Sequence, residues 1–537
     1  MNDYFTSEQK EAIFFQENLV IVACPGSGKT TVIKEKVRNI SSSLKSHQGV
    51  IGITFTRKAS LELKKRCKEN GHDTKQSFFG TIDKFCLEQL IFPFLSHLWK
   101  GKSREYIVVE ELNEEQKGLF LKKYKSATIN DINKDQGFNE LYNRGYLWVD
   151  SFSGLALYVL NNSKSAVKYI KSKFTHVFID EYQDSSKAQH DLFLKLVEIG
   201  LIGTAVGDVN QSIYNFRGSN PKFIKFLLKS QNFKSIYMDV NHRCHLSINN
   251  YASRLLDPLY PIEEDLEECR VFRRKFEGDY TEISDNISKI IRNLISKKKI
   301  INYSDVVVLA NKNKILNDIA SRLNLNYRLY IDTPLEEIKS QTSALFFDLL
   351  SLRFGAIDSA QNILDKYFLK NGSYIANNIS KVREKILKVK ECEDVDLNFN
   401  LSVIANDLGY IQTDKEKDAV QSILNDSRLL KLFRPIESTE VQMMSLHKSK
   451  GLEFHTVIHV GLEEWVFPSR EYTGSWGDEP LYPNLNQDLN LHYVGITRAK
   501  EYCILIQASK RINSKGYLKN TDPSYFLTLP QLKGLYK

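Results

Sequence analysis

Apolar residues along this chain fall in short dense runs rather than in a steady alternation. "NLVIVAC" (18–24), "VIGITFT" (50–56), "HVFID" (176–180) and "IGTAVGD" (202–208) are each followed by polar or glycine-rich residues and then by a helical pattern. Short runs that are apolar on both faces predict the buried strands of a parallel sheet. After the first run, "TTVIKEKVRNI" sets Val32, Ile33, Val37 and Ile40 on one helical face. Strand, loop and helix in alternation predict an α/β, doubly wound domain. A second series, "IYMDV" (236–240), "DVVVLA" (305–310), "HTVIHVGL" (455–462) and "EYCILIQA" (501–508), predicts a second sheet of the same kind. Residues 96–155 are rich in Lys, Tyr and Asn with few strand-like runs, and 331–435 read as largely helical. These two stretches are therefore expected to be helical insertions.

Composition narrows this picture without changing it. A chain of 537 residues is too long for one core, and 42% apolar with 26% charged residues is an ordinary globular balance. The net charge of +9 favours an anionic partner only weakly, because a mild excess over a large surface need not form a patch. The seven cysteines, Cys24, Cys67, Cys86, Cys244, Cys269, Cys392 and Cys503, include no CxxC pair. They read as reduced thiols of a cytoplasmic protein rather than zinc ligands or disulfides. No signal peptide is expected at "MNDYFTSEQK", and no stretch is apolar for long enough to span a membrane.

Chemistry first shows at "ACPGSGKTT" (23–31), between a predicted strand and a predicted helix. Small residues there let backbone N–H groups converge on phosphate oxygens, and the helix N-terminus adds its dipole. The loop comprises Ala23, Cys24, Pro25, Gly26, Ser27, Gly28, Lys29, Thr30 and Thr31. Lys29 is expected on the β- and γ-phosphates, and the Thr30 hydroxyl on Mg2+. A glycine turn with no ligand would not explain the Lys-Thr pair. "FIDEYQD" (178–184) supplies the complement: Asp180 at a strand's carboxyl end to hold the metal through water, and Glu181 to orient and deprotonate the attacking water. An acid pair after an apolar run is a weak signal alone; downstream of a phosphate loop it predicts an NTPase.

The order of motifs then resembles one family. "FTSEQKEAI" (5–13), "ACPGSGKTT", "TFTRKA" (54–59), "GTID" (80–83), "IDEYQD", "VGDVNQSIYNFRG" (206–218), "NHR" (241–243), "LHKSKGLEF" (446–454) and "YVGITRAK" (493–500) are similar to the consecutive motifs of UvrD/Rep/PcrA-type superfamily 1A DNA helicases. The resemblance implies two RecA-like parallel-sheet domains with ATP in the cleft between them: 1–95 with 156–235, and 236–330 with 436–537. The helical insertions would be 96–155 and a reduced 331–435. It implies that Gln9 reads the adenine edge, Glu453 binds the ribose, and Gln211 senses the γ-phosphate. Arg243 and Arg498 would reach across from the second domain to neutralise charge on the phosphoryl group. An isolated arginine more often forms a surface ion pair, and only the motif context favours the other reading.

The same resemblance places single-stranded or tailed DNA against Phe55, Arg57, Thr81, Tyr214, Phe216 and His447. Phe216 would stack on a base, a contact worth about 1–3 kcal/mol and indifferent to sequence. It also implies 3′-to-5′ movement. Three departures stand out: His242 replaces the usual tyrosine, Asp83 replaces a histidine, and the 331–435 insertion is short. Size, layout and the wording around 178–193 further resemble the helicase-like subunits of Gabija antiphage defence systems. That likeness would imply a partner nuclease of the ATPase–TOPRIM type in a hetero-oligomer. Two rival functions remain beside an unwinding motor: a DNA-end-sensing ATPase that separates no duplex, and a scaffold with a vestigial nucleotide site.

Overall fold

Leu19–Ala23 (LVIVA) forms strand β1, and its apolar side chains on both faces fit it to the interior of a sheet. The computed structural model describes residues 5–99, 106–213, 221–262, 268–357, 359–367, 376–474, 479–513 and 516–537. The chain divides into two units, Met1–Cys244 and His245–Lys537. In the first, β1 is joined by β2 (Gly49–Ile53), β3 (Phe78–Gly80), β6 (Phe174–Ile179), β7 (Ile202–Gly207) and β8 (Lys234–Met238), all parallel. The order is β3-β2-β6-β7-β1-β8. Two three-residue strands between β3 and β6, β4 (Ile107–Val109) and β5 (Tyr146–Trp148), form a separate parallel pair inside the first insertion, whose described residues are otherwise mainly helical.

Helix α1 (Ser7–Phe14) precedes β1 and helix α2 (Lys29–Ser43) follows it. The predicted face of α2 is the one observed, with Val32, Ile33, Val37 and Ile40 buried in a cluster that includes Ala12, Ile13, Leu19 and Ile21. The α1 N-terminus is fixed by a capping box: Thr6 accepts from the Gln9 backbone N–H while the Gln9 side chain accepts from the Thr6 N–H.

The second unit carries a second six-stranded parallel sheet, built from β9 (Val271–Phe276), β10 (Val306–Ala310), β11 (Tyr327–Tyr330), β12 (Val441–Ser445), β13 (Phe454–His459) and β14 (Ala499–Ala508). Its order is β11-β12-β10-β13-β14-β9. A hairpin of β15 (Lys510–Ile512) and β16 (Leu518–Asn520) follows. Between β11 and β12 the described residues are mainly helical, and those helices pack around their own core, which includes Leu345, Phe346, Leu349, Leu397, Leu401 and Val420. The fold is thus two RecA-like parallel sheets with two mainly helical insertions.

One strand belongs to the other sheet from the one expected. "IYMDV" was assigned to the second series, whereas β8 pairs with β1, Leu19 opposite Lys234 through Ala23 opposite Met238. Ile236 and Met238 lie in the first unit's core. An apolar run identifies a strand but carries no label for its sheet. All seven cysteines are free thiols. Among the described residues no helix is long and apolar enough to cross a membrane.

Candidate active site

The glycine loop between β1 and α2 has the backbone that its sequence demands. Gly26 and Gly28 sit at φ +74° and +80°, where side chains are strained. A Cβ on Gly26 would lie 2.4 Å from Asn241 Oδ1 and 2.5 Å from Arg243 Cβ, and one on Gly28 would lie 3.0 Å from Gln9 Nε2. The turn is closed by the Ser27 hydroxyl, which donates to the Cys24 carbonyl at 2.9 Å. Gln9, on α1, donates its amide to the Ser27 carbonyl at 3.0 Å, so the glutamine expected at adenine is packed on the phosphate loop itself. Cys24 is no reactive thiol: burial, with Asp208 next, pushes it up to about 12.

Three strand ends meet at this loop, because β1 lies beside β7 and β7 beside β6. Asp180 directly follows β6, and its backbone N–H donates to the Ile53 carbonyl at 2.9 Å. Glu181 adopts left-handed backbone angles, φ 55° and ψ 37°. That conformation is strained by about 1–2 kcal/mol for a residue with a Cβ. It is held by the Glu181 N–H donating to Asp180 Oδ1 at 2.9 Å. Lys29 Nζ stands 3.7 Å from Glu181 Oε1. Gln211 donates to Asp208 Oδ2 at 2.7 Å, and Asp208 is buried, which raises its carboxyl above the ordinary range against the pull of Lys29.

Three participants, Gln183, Asp208 and Asn241, were not singled out from the sequence. Gln183, fully buried, donates to Glu181 Oε2 at 2.6 Å and accepts the Asp208 N–H at 3.1 Å. Both residues stand inside quoted motifs, but nothing in the text shows that residues 25 positions apart touch. The third, Asn241, accepts the Arg243 and Cys244 N–H groups at 2.8 and 3.0 Å and so shapes the segment laid over Gly26.

Arg243 needs a correction. It was expected on the second domain, yet its backbone packs on Gly26 and it belongs to the first unit with Lys29. The neighbouring His242 N–H donates to the Gly26 carbonyl at 3.1 Å. Strand β8 carries this segment to the loop, which follows from its pairing with β1.

Within the second unit Arg498 is only 2% exposed, its guanidinium donating to the Val494 carbonyl at 3.0 Å and the Leu452 carbonyl at 3.2 Å. Glu453 forms an ion pair with Lys500 at 2.7 Å. His447 is half-buried in the turn after β12. Of the residues expected on DNA, Phe55 is exposed beyond β2. Thr81 caps a short helix by accepting the Lys84 N–H. The Arg57 side chain, Tyr214 and Phe216 lie outside the described residues.

The arrangement suits a nucleoside triphosphate. Two positive-φ glycines shape a loop on which Asn241, Arg243 and Gln9 pack closely, α2 begins at its end, and a lysine and a carboxylate converge beside it. Among the described residues no group of three or more His, Cys, Asp or Glu is placed to hold a metal. Magnesium needs only a sparse protein donor set when phosphates and water complete its octahedron, and the Thr30 hydroxyl and Asp180 carboxylate would be that set.

Glycine loop, strand-end acids and parallel sheet together define a P-loop NTPase. Family comparison is more specific. The UvrD/REP helicase N-terminal domain matches residues 5–96 and 97–234, and the UvrD-like helicase C-terminal domain matches 355–510. The chain belongs to the UvrD-like helicases and is an ATP-dependent DNA helicase of that family. It is similar to the Gabija protein GajB of Bacillus cereus (strain VD045), 27% identical over 92% of this chain and 94% of that one. It is also similar to the ATP-dependent DNA helicase Rep of Buchnera aphidicola subsp. Acyrthosiphon pisum (strain APS), at 24% over 95% and 96% of the two chains. The ATP-dependent DNA helicase PcrA of Staphylococcus aureus (strain MRSA252) is 23% identical over 98% and 86%.

Proposed function

We propose that this protein is an ATP-driven translocase on single-stranded DNA, moving 3′ to 5′, and that it works in the cytoplasm within a bacterial antiphage defence complex beside a nuclease subunit of the ATPase–TOPRIM type. The observation that carries the motor reading is the Lys29–Glu181 approach of 3.7 Å over a glycine loop. It brings the lysine assigned to phosphate within ion-pair reach of the carboxylate assigned to the attacking water. Lys29 and the loop N–H groups bind the β- and γ-phosphates. Thr30 and Asp180 hold Mg2+, whose charge offsets that of the phosphates. Glu181 takes the proton of the attacking water. Gln9 and Glu453 select the nucleoside, and Arg243 and Arg498 supply guanidinium charge for the departing phosphoryl group. Gln211 opens the segment leading to Tyr214 and Phe216, which with Phe55, Arg57, Thr81 and His447 form the proposed DNA contacts. The defence role and the nuclease partner are supported by the likeness to GajB.

The test is Lys29→Ala. ATPase activity should fall to background while single-stranded DNA binding, followed by fluorescence anisotropy, stays within a few-fold of wild type. Retained turnover contradicts the site. A second reading, a DNA-end-sensing ATPase that activates its nuclease without processive unwinding, is favoured by the short stretch between β11 and β12. Affinity capture from the native host would show whether a nuclease accompanies the chain.

A further inference from the structure

We propose that Gln183 is a positioning residue that aligns Glu181 for hydrolysis and ties it to the Asp208–Gln211 segment. The proposal rests on the reading of Glu181 as the carboxylate that activates water. Its two oxygens are held by different groups, Oε1 facing Lys29 at 3.7 Å and Oε2 accepting from Gln183 Nε2 at 2.6 Å. Lys29 is also assigned to phosphate, so its grip on Oε1 must change whenever nucleotide enters. The Gln183 contact need not change.

The far end of the same amide is anchored equally closely. Gln183 Oε1 accepts the Asp208 N–H at 3.1 Å, and Asp208 Oδ2 accepts from Gln211 Nε2 at 2.7 Å. One continuous line of hydrogen bonds therefore runs from Glu181 on the β6 side, through Gln183, to Gln211 beyond β7. An amide is the side chain this line requires, since it donates at one end and accepts at the other. A glutamate at 183 would present a second acceptor to the Glu181 carboxylate, and a methionine would offer neither bond. Gly207 is part of the same device. A Cβ there would stand 2.4 Å from Gln183 Oε1, so the backbone passes the amide closely enough for the Asp208 N–H to reach it. The alternative is that Gln183 merely satisfies buried polar groups between two strands. That role would affect stability and leave the chemistry of Glu181 alone.

The experiment is steady-state, DNA-stimulated ATPase kinetics on the full chain for Gln183→Met, Gln183→Glu and Glu181→Gln, with fluorescent-nucleotide binding and melting temperature measured on each. Gln183→Met should lower kcat by about 10²-fold, with KM for ATP within twofold. Gln183→Glu, which sets an acceptor opposite the Glu181 carboxylate in place of the donor, should lower kcat at least as far, again with KM for ATP within twofold. Wild-type kcat in a folded Gln183→Met protein, with only the melting temperature lowered, overturns the proposal. Should Gln183→Met fail to fold, wild-type kcat in a folded Gln183→Glu protein overturns it equally. Glu181→Gln separates the two layers: full turnover there refutes the role given to Glu181 itself, whatever the Gln183 variants do.

Discussion

Glu181 has an unusual backbone for a glutamate, and the residue-scale chemistry follows from that. Left-handed angles turn its side chain back toward Lys29 instead of letting it continue the line of β6. Such strain persists only where surrounding contacts over-determine it, and the Asp180 carboxylate, Gln183 amide and Lys29 ammonium do so here. Replacing Glu181 by Gln keeps the volume and removes the base. We expect kcat to fall by about 10²–10⁴-fold, with ATP binding retained or tightened because a negative charge near the phosphates is gone. Single-turnover hydrolysis and nucleotide titration check both parts; weakened binding with normal turnover would contradict them. Lys29, Glu181 and Gln211 were legible in the sequence because each sits at a fixed offset within a motif. Gln183 and the conformation of Glu181 were not. The partners of Gln183 come from adjacent strands, and strand adjacency is not written in the chain.

At the scale of elements, α1 is held on the nucleotide loop from below as well as above. Lys36, 1% exposed on α2, donates its ammonium to the Ala12 carbonyl at 2.9 Å and to the Phe15 carbonyl, at the end of the helix that carries Gln9. Burial draws its pKa down to about 8. Lys36→Met leaves the buried Ala12 carbonyl without this donor, a loss of about 1–3 kcal/mol, removes the partly buried contact to Phe15 as well, and should loosen α1. The expected signature is a several-fold rise in KM for ATP with kcat little changed, reversed by Lys36→Arg. A kcat loss at constant KM would place Lys36 elsewhere in the mechanism.

The second unit has a comparable pinned element. Glu463, buried after β13, accepts from the Tyr280 hydroxyl at 2.5 Å and from the Ala508 N–H at 2.6 Å, and burial pushes it up from 4.5 to about 7. The native state keeps this proton up to about pH 7, while the unfolded chain releases it near 4.5. Stability therefore falls as pH rises through that window, by on the order of 3 kcal/mol. Glu463→Gln should flatten this slope in thermal melts between about pH 5 and 8, and an unchanged slope would refute the assignment. The elements themselves were unevenly legible. The apolar runs of β1, β10 and β13 announced themselves, whereas β9 (VFRRKF) and β11 (YRLY) did not. Both are edge strands, half-exposed, and an edge tolerates the charges that hide a strand from an apolar-run search.

For the whole molecule the question is whether duplex separation needs the helical insertion between β11 and β12. Every residue of the proposed nucleotide site lies outside it, and the insertion packs around its own core. It also doubles as the crossover between two paired parallel strands, Tyr327 opposite Val441 through Tyr330 opposite Met444. Such a connection cannot be shorter than about a dozen residues, so plain deletion would break the sheet. The exit is clamped by Arg328, which donates to the Arg434 and Pro435 carbonyls at 2.5 and 2.8 Å and pairs with Glu440 at 2.7 Å. Replacing residues 334–433 with a polar linker of about a dozen residues keeps that clamp and the strand pairing. The variant should hydrolyse ATP in response to single-stranded DNA within a few-fold of wild type. Strand displacement on a 3′-tailed duplex, with a 5′-tailed duplex as control, then divides the two readings. If the intact chain unwinds the 3′-tailed substrate and the variant does not, the insertion is the part that engages duplex and the protein is a true unwinding motor. If neither form separates strands while both hydrolyse ATP on DNA ends, the motor reading of the whole chain gives way to the end-sensing one. The contacts that join Lys29, Glu181, Gln183 and Asp208 are the same in either case, because they are made within the first unit.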